Sequence, residues 1–351
     1  MHERAERAAM SQHEHQGYHP GMHGNRRHRL LLIAARNGDH DRQAGTMPTQ
    51  CEQALGSLLG VAVGDALGAP VEFMAPGTFP PVTGMMACGR GSLPQGHWTD
   101  DTAMTLCLAD SLLHCGGFDA RDQMDRYLRW FDEGYNSSTG KVYGIGQATF
   151  KALQRYRKTN NPLAGETSPR SAGNGSLMRL APIPIYYHDN LDNAAHYGGE
   201  SSRTTHALQI CVDACRFYAA LIWHALQGAS KEDIFAAAHR FFQKKSGESP
   251  DDALRSVAEG SFMRKEPPEI TGAGYVISSL EAALWAFAKA DTFAEGMLLA
   301  VNLGQDADTV GAIFGQLAGA FWGLPAIPSQ WLDSLHKKDH ISGIAVRLWQ
   351  R

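Results

Sequence analysis

Residues 302–323 read NLGQDADTVGAIFGQLAGAFWG. Asp306, Asp308 and Thr309 set three oxygen donors within four residues, and a glycine-rich apolar run follows directly. Two carboxylates two apart point to opposite sides of a regular helix. They converge only if Asp306 stays in the loop and Asp308 opens the helix as its N-cap. Such a turn suits a hard divalent cation, because Mg²⁺ and Mn²⁺ take oxygen ligands. A helix N-terminus repels a cation and favours an anion, so the carboxylates must offset the dipole. A capped core helix with spare acids is the alternative.

The same run carries a second pattern. Gly311, Gly315, Gly319 and Gly323 recur every four residues, and Gly56, Gly60, Gly64 and Gly68 repeat the spacing among Leu55, Leu58, Leu59 and Val63. A glycine ridge is costly by helix propensity. It makes sense where another helix approaches closely. The two ridges are therefore expected to cross tightly in the core and to bring Asp65 and Glu72 toward the acidic turn.

Residues 97–102, HWTDDT, precede the apolar run AMTLCLADSLL. Consecutive helical residues diverge by about 100° each. Three adjacent donors, Thr99, Asp100 and Asp101, thus suit an irregular helix start. Two such clusters could supply six oxygens to two cations, each ion keeping some water. Four negative charges on Asp100, Asp101, Asp306 and Asp308 would repel strongly without cations.

Helical spacing recurs along the chain over 101–115, 121–133, 145–156, 205–227, 231–243, 251–262 and 275–289, with long loops at 73–96 and 159–175. In 205–227, Leu208, Val212, Cys215, Ala219, Ile222 and Leu226 form one stripe. GNGS at 173–176 precedes a short helix that Pro182 interrupts. No hairpin signal or alternating run of useful length appears. The fold class is all-α, a single compact domain over 47–351.

The chain has 351 residues, 43% of them hydrophobic, and a formal charge of −4. That charge implies no general affinity for nucleic acid. No apolar run reaches the roughly 18 residues of a membrane span, so no membrane partner is expected. The six cysteines lack a CxxC or a paired His and read as reduced thiols of a cytoplasmic protein. Residues 1–46 differ in kind: they hold seven of the 16 histidines, seven Arg, five acids and no Lys. This arm carries +2 of the chain's −4, leaving −6 on the remainder. It has little apolar periodicity and is expected to be mostly disordered. It reads as an upstream extension, a tail with a partner, or a histidine-rich metal binder.

GDALGAPVEF at 64–73, WTDDT at 98–102, GNGSLMR at 173–179 and GQDADTVGAIFGQLAG at 304–319 together resemble the ADP-ribosylglycohydrolase family, which includes the dinitrogenase-reductase-activating glycohydrolases. The motifs stand in order, and the resemblance runs over about 51–328. It implies an all-α, orthogonal helical fold with a dinuclear site. Thr99, Asp100, Asp101, Asp306, Asp308 and Thr309 would ligate two Mg²⁺ or Mn²⁺ ions. Glu72 would gate the site or polarise the attacking water, with Asp100 as the other group able to assist. Asp65 reads as a helix cap or a partner behind the ligands. Gly173, Asn174, Gly175 and Ser176 would cradle the pyrophosphate of ADP-ribose, as backbone N–H groups in a glycine turn can. His206 would contact a ribose and Tyr275 would stack on adenine. Without the resemblance, GNGS is a turn, His206 a core or capping residue, and Tyr275 a core aromatic.

The activity so implied is metal-dependent removal of ADP-ribose from a protein side chain, most readily arginine, through hydrolysis at the anomeric carbon. The partner is an ADP-ribosylated protein. Two other classes remain open. One is an immunity protein that neutralises an ADP-ribosylating toxin, by binding through the N-terminal arm or by reversing the modification. The other is a structural role, as in lens crystallins of this fold.

Overall fold

A computed structural model describes residues 48–89, 93–242 and 251–351. All belong to one unit, 40–351. The expectation of a disordered arm over 1–46 lies outside the described residues. The helices are α1 (Gln50–Gly68), α2 (Asp100–Cys115), α3 (Ala120–Glu133), α4 (Gln147–Thr159), α5 (Pro182–Tyr186), α6 (Leu191–Arg203), α7 (Gln209–Leu226), α8 (Lys231–Phe241), α9 (Asp252–Ala258), α10 (Val276–Lys289), α11 (Phe293–Val301), α12 (Ala307–Trp322), α13 (Ser329–Ser334) and α14 (Lys338–Trp349). Among the described residues there is no strand; the two isolated bridges are Glu166–His206 and Gly173–Tyr275. The all-α reading holds.

Helices α1 and α12 form the antiparallel spine of the core. A Cβ on Gly60 would lie 2.2 Å from the Gly315 carbonyl oxygen, and one on Gly64 would lie 2.1 Å from that of Gly311. Gly56 meets Gly319 in the same way, at 2.4 Å. The two backbones are therefore in direct contact, as the paired ridges predict. Ser57 adds a hydrogen bond to the Gln316 carbonyl at 2.9 Å. Both helices are buried on nearly all sides. The crossing has a functional consequence: the C-terminal end of α1 lies beside the N-terminus of α12, where a Cβ on Gly68 would strike the Asp308 backbone N at 2.3 Å.

Several sequence expectations need correction. Helix α6 is absent from them, because LDNAAHYGGESSR is polar and contains two glycines. Those glycines serve packing: a Cβ on Gly198 would come within 3.1 Å of the Cys215 carbonyl on α7. Helix α7 starts at Gln209, four residues later than expected, so His206 stands in the turn between α6 and α7. Pro182 opens α5 at its first turn, where the missing N–H costs nothing. Cys115 is exposed, while Cys107, Cys211 and Cys215 are buried free thiols. Finally, the stretch Gln50–Val71 is long and apolar enough to cross a membrane by composition, contrary to the sequence reading; 89% of that window is buried within the protein.

Candidate active site

Asp65 explains how the 97–102 turn is built. Its buried carboxylate accepts the backbone N–H groups of Thr99 (2.9 Å) and Thr102 (3.0 Å) and the Thr102 hydroxyl (2.7 Å). It thus caps α2 from a different helix. Thr99 is the N-cap, with extended backbone, and its side chain accepts the Asp101 N–H. Burial lifts the Asp65 carboxyl to about 6, although the three donors pull it down.

The two acidic turns meet. The Thr309 hydroxyl donates to Asp101 Oδ2 at 3.4 Å across 208 residues, and Thr99 reaches the same oxygen at 3.3 Å. Asp306 occupies the N-cap position of α12 without capping it. Asp308 is not the N-cap, as the sequence suggested, but lies inside the first turn and accepts the Thr309 N–H. The convergence condition still holds, because Asp306 precedes the helix. Ligand oxygens of Glu72, Asp306 and Asp308 lie within 4.8 Å of one another.

This crowding raises the carboxyls. Burial first, then Asp100, Asp306 and Asp65, lift Glu72 to about 8. Burial and then Asp65 lift Asp100 to about 7, against backbone hydrogen bonds from Asp100 and Gly146. Burial and neighbouring acids push Asp101 and Asp308 well above the usual carboxylate range. Burial also raises Asp306, while Asn174 and Thr309 oppose it. Among the described residues no Lys or Arg hydrogen-bonds any of these acids. Asp101 Oδ1 is buried without a partner. An all-oxygen donor set with unneutralised charge and an orphaned carboxylate oxygen fits a hard divalent cation.

Main-chain contacts hold Glu72 in place. The Phe73 N–H donates to the Gln305 carbonyl (2.6 Å), and the Gln305 N–H donates to that of Met74 (2.7 Å). Phe73 and Gln305 both take left-handed backbone, φ 62° and 58°. Non-glycine residues adopt this only when their surroundings over-determine it, and such strain clusters at functional sites. Phe73 itself projects outward, 83% exposed.

A cavity of about 590 Å³ opens over the acids, with Glu72, Asp100, Asp101, Asp306, Asp308 and Thr309 in its lining. Gly144 is packed against this floor: it has φ +73°, and a Cβ there would lie 2.4 Å from Asp100 Oδ1. Gly173, Asn174, Gly175 and His206 line another wall. Among the described residues the N–H groups of Gly175 and Ser176 meet no backbone acceptor, while that of Asn174 belongs to the Gly173–Tyr275 bridge. Those of Gly175 and Ser176 form a candidate anion nest. The Asn174 side chain is already committed, to Asp306 Oδ2 (2.6 Å) and the Ser279 hydroxyl (2.8 Å).

The structure does not bring three expected residues to the cavity surface. Thr99 lies behind Asp101. Ser176 is buried and accepts from the Ser202 hydroxyl at 2.8 Å. Tyr275 is the N-cap of α10, 40% exposed, and outside the lining. Conversely, Tyr143, Lys151 and Arg170 line the cavity and were not singled out. They sit on loops or on an exposed helix face, where single residues carry no periodic signal.

An acid-floored cavity beside a glycine turn, carried on two glycine-ridged helices, has the oxygen donors to hold a cation against a bound molecule. The ADP-ribosylglycohydrolase family matches residues 46–351, and the chain belongs to it. Its chemistry is therefore hydrolysis of a glycosidic bond to ADP-ribose. The chain is 37% identical to ADP-ribosylarginine hydrolase Tri1 of Pseudomonas putida over 86% of its own length and 78% of that protein. It is 30% identical to ADP-ribosyl-[dinitrogen reductase] glycohydrolase of Rhodospirillum rubrum over 84% of its length and 93% of that protein. A solved ADP-ribosylglycohydrolase-related protein complex superposes with TM-score 0.75 at 47% identity, covering 86% of this chain and 98% of that one.

Proposed function

We propose that this protein removes ADP-ribose from arginine side chains of modified proteins, in the cytoplasm, with two Mg²⁺ or Mn²⁺ ions. The observation that carries this reading is the meeting of both acidic turns and Glu72 on the floor of one cavity. Two relatives at 37% and 36% identity, both named ADP-ribosylarginine hydrolase Tri1, support the choice of arginine. Thr99, Asp100, Asp101, Asp306, Asp308 and Thr309 would hold the ions. Bound there, a divalent pair supplies positive charge that offsets the carboxylates and polarises oxygen ligands.

The chain's own residues do the rest. Asp100 is tied by the Gly146 N–H and serves as a ligand. Glu72 faces the cavity and takes the proton of the attacking water. The water oxygen bonds to the anomeric carbon as the carbon–nitrogen bond breaks. The leaving guanidino group keeps the electron pair and takes up a proton. Positive charge building on the ribose is stabilised by the surrounding carboxylates. The wall at 173–176 offers backbone N–H groups to the pyrophosphate, which places the ribose over the acids.

Peptides carrying ADP-ribose on arginine or on serine, assayed side by side with Mg²⁺ and with EDTA, test this. Arginine should be released faster, and only with the cation. Faster release from serine would overturn the acceptor, and full activity in EDTA would overturn the metal.

A further inference from the structure

Arg179 closes the GNGSLMR motif, and the mechanism above leaves it unused. Its side chain is fully buried, yet among the described residues no carboxylate lies within ion-pair reach. Its guanidinium faces the Tyr127 ring, 4.7 Å from the centroid. An uncompensated buried charge is expensive. Its two terminal nitrogens bond just behind the cavity wall, while Nε has no partner among the described residues. Nη1 donates to the Gly175 carbonyl at 3.0 Å, and Nη2 donates to the Thr205 hydroxyl at 2.8 Å. That hydroxyl in turn lies 2.8 Å from His206 Nδ1.

We infer that Arg179 and Thr205 are positioning residues that fix the tautomer of His206, so that its Nε2–H donates to an oxygen of the ADP-ribosyl group at the 173–176 turn. A threonine hydroxyl has one proton to give. Thr205 is fully buried, and among the described residues its oxygen has no other neighbour than Arg179 and His206 Nδ1. Arg179 can only donate, so the hydroxyl accepts from it. Were Nδ1 also protonated, the hydroxyl proton would be left buried without an acceptor, which costs about 1–3 kcal/mol. The proton therefore points at Nδ1, and the ring carries its own proton on Nε2.

Nε2 sits against the turn: a Cβ on Gly173 would meet it first, at 3.4 Å, and one on Gly175 would lie 3.2 Å from it and 2.9 Å from Cε1. Burial, then Arg179, hold His206 down at about 3, so the ring stays neutral. The same guanidinium holds the Gly175 carbonyl inward, away from the ligand side. One buried cation thus aims both a ring donor and a peptide at the wall. This deepens the reading of the site as one for ADP-ribose, and rests on it.

Nitrogen-15 NMR of histidine-labelled full-length protein reads the tautomer without substrate, with His206→Gln identifying the resonance. The expected spectrum shows Nε2 protonated and Nδ1 bare. Thr205→Val should mix the tautomers and weaken ADP-ribose binding, measured with Mg²⁺, by about tenfold. Thr205→Ser should restore both. Thr205→Ala, which removes the hydroxyl without adding bulk, stands in if the valine variant does not fold. A wild-type Nδ1–H tautomer overturns the inference. So does a folded valine or alanine variant with unchanged tautomer and affinity. The tautomer is independent of the acceptor, so failure of the arginine reading leaves this result standing.

Discussion

Asp308 shows how one carboxylate can matter to chemistry and little to the fold. It is buried in the first turn of α12, and its pKa is pushed up by burial, Asp101 and Glu72. Asp308→Asn removes a charge that repels its neighbours, so the helical fold should survive with its far-UV circular dichroism unchanged. Turnover should fall at least about a hundredfold, because the geometry of the ligand set is lost with the charge. The rise in melting temperature on adding Mg²⁺ should largely vanish, since the ion binds only the folded site. Asn174 acts one bond further out. It clamps Asp306 from a loop 132 residues away. Asn174→Ala should weaken Mg²⁺ binding by about 10–100-fold, read by calorimetry, as loss of a partner behind a ligand typically does.

At the scale of elements, the α1–α12 crossing decides where the site can be. With backbone against backbone at three successive turns, no side chain fits between the helices. Helix propensity alone would make Gly60→Ala favourable by about 1 kcal/mol. The clash at 2.2 Å with the Gly315 carbonyl should reverse that sign. The variant should lose about 2–3 kcal/mol by denaturant titration, and should lose activity as α12 moves off Glu72. Gly343, exposed on α14 with open space around its Cβ position, is the control. Gly343→Ala should stabilise the protein by about 0.5–1 kcal/mol.

For the whole molecule, the raised carboxyls link the site to stability. An acid whose folded pKa is raised holds its proton more tightly when folded. Its contribution is therefore favourable at low pH, and fades as pH rises from the ordinary carboxylate range through the folded value. Asp65, Asp100 and Glu72 stand at about 6, 7 and 8. Metal-stripped protein should thus melt several degrees lower at about pH 8 than at about pH 5, and Mg²⁺ should shrink the gap. A flat melting temperature in EDTA would contradict this. The arm over 1–46 holds no ligand motif, and the family match begins at residue 46. A chain starting at Met47 should keep full activity on a small ADP-ribosylated substrate; loss of activity would give the arm a catalytic role.

The amino-acid sequence alone determined that both acidic turns open apolar helices and that two glycine ridges need each other. Oxygen donors crowded at a helix start, and glycines every four residues, have few other physical uses. The motifs in order identified the family. Only the tertiary structure decided which side chains the acids lean on. Asp65 caps α2 from α1, Asn174 clamps Asp306, and the Phe73–Gln305 bonds seat Glu72. Each joins residues far apart in the chain, and so leaves no local spacing to read. Helix α6 was hidden for a related reason: its glycines oppose helix by propensity and favour it through contact with α7. Ser176 carries the same lesson, since its motif places it in a glycine turn and packing turns it inward to Ser202.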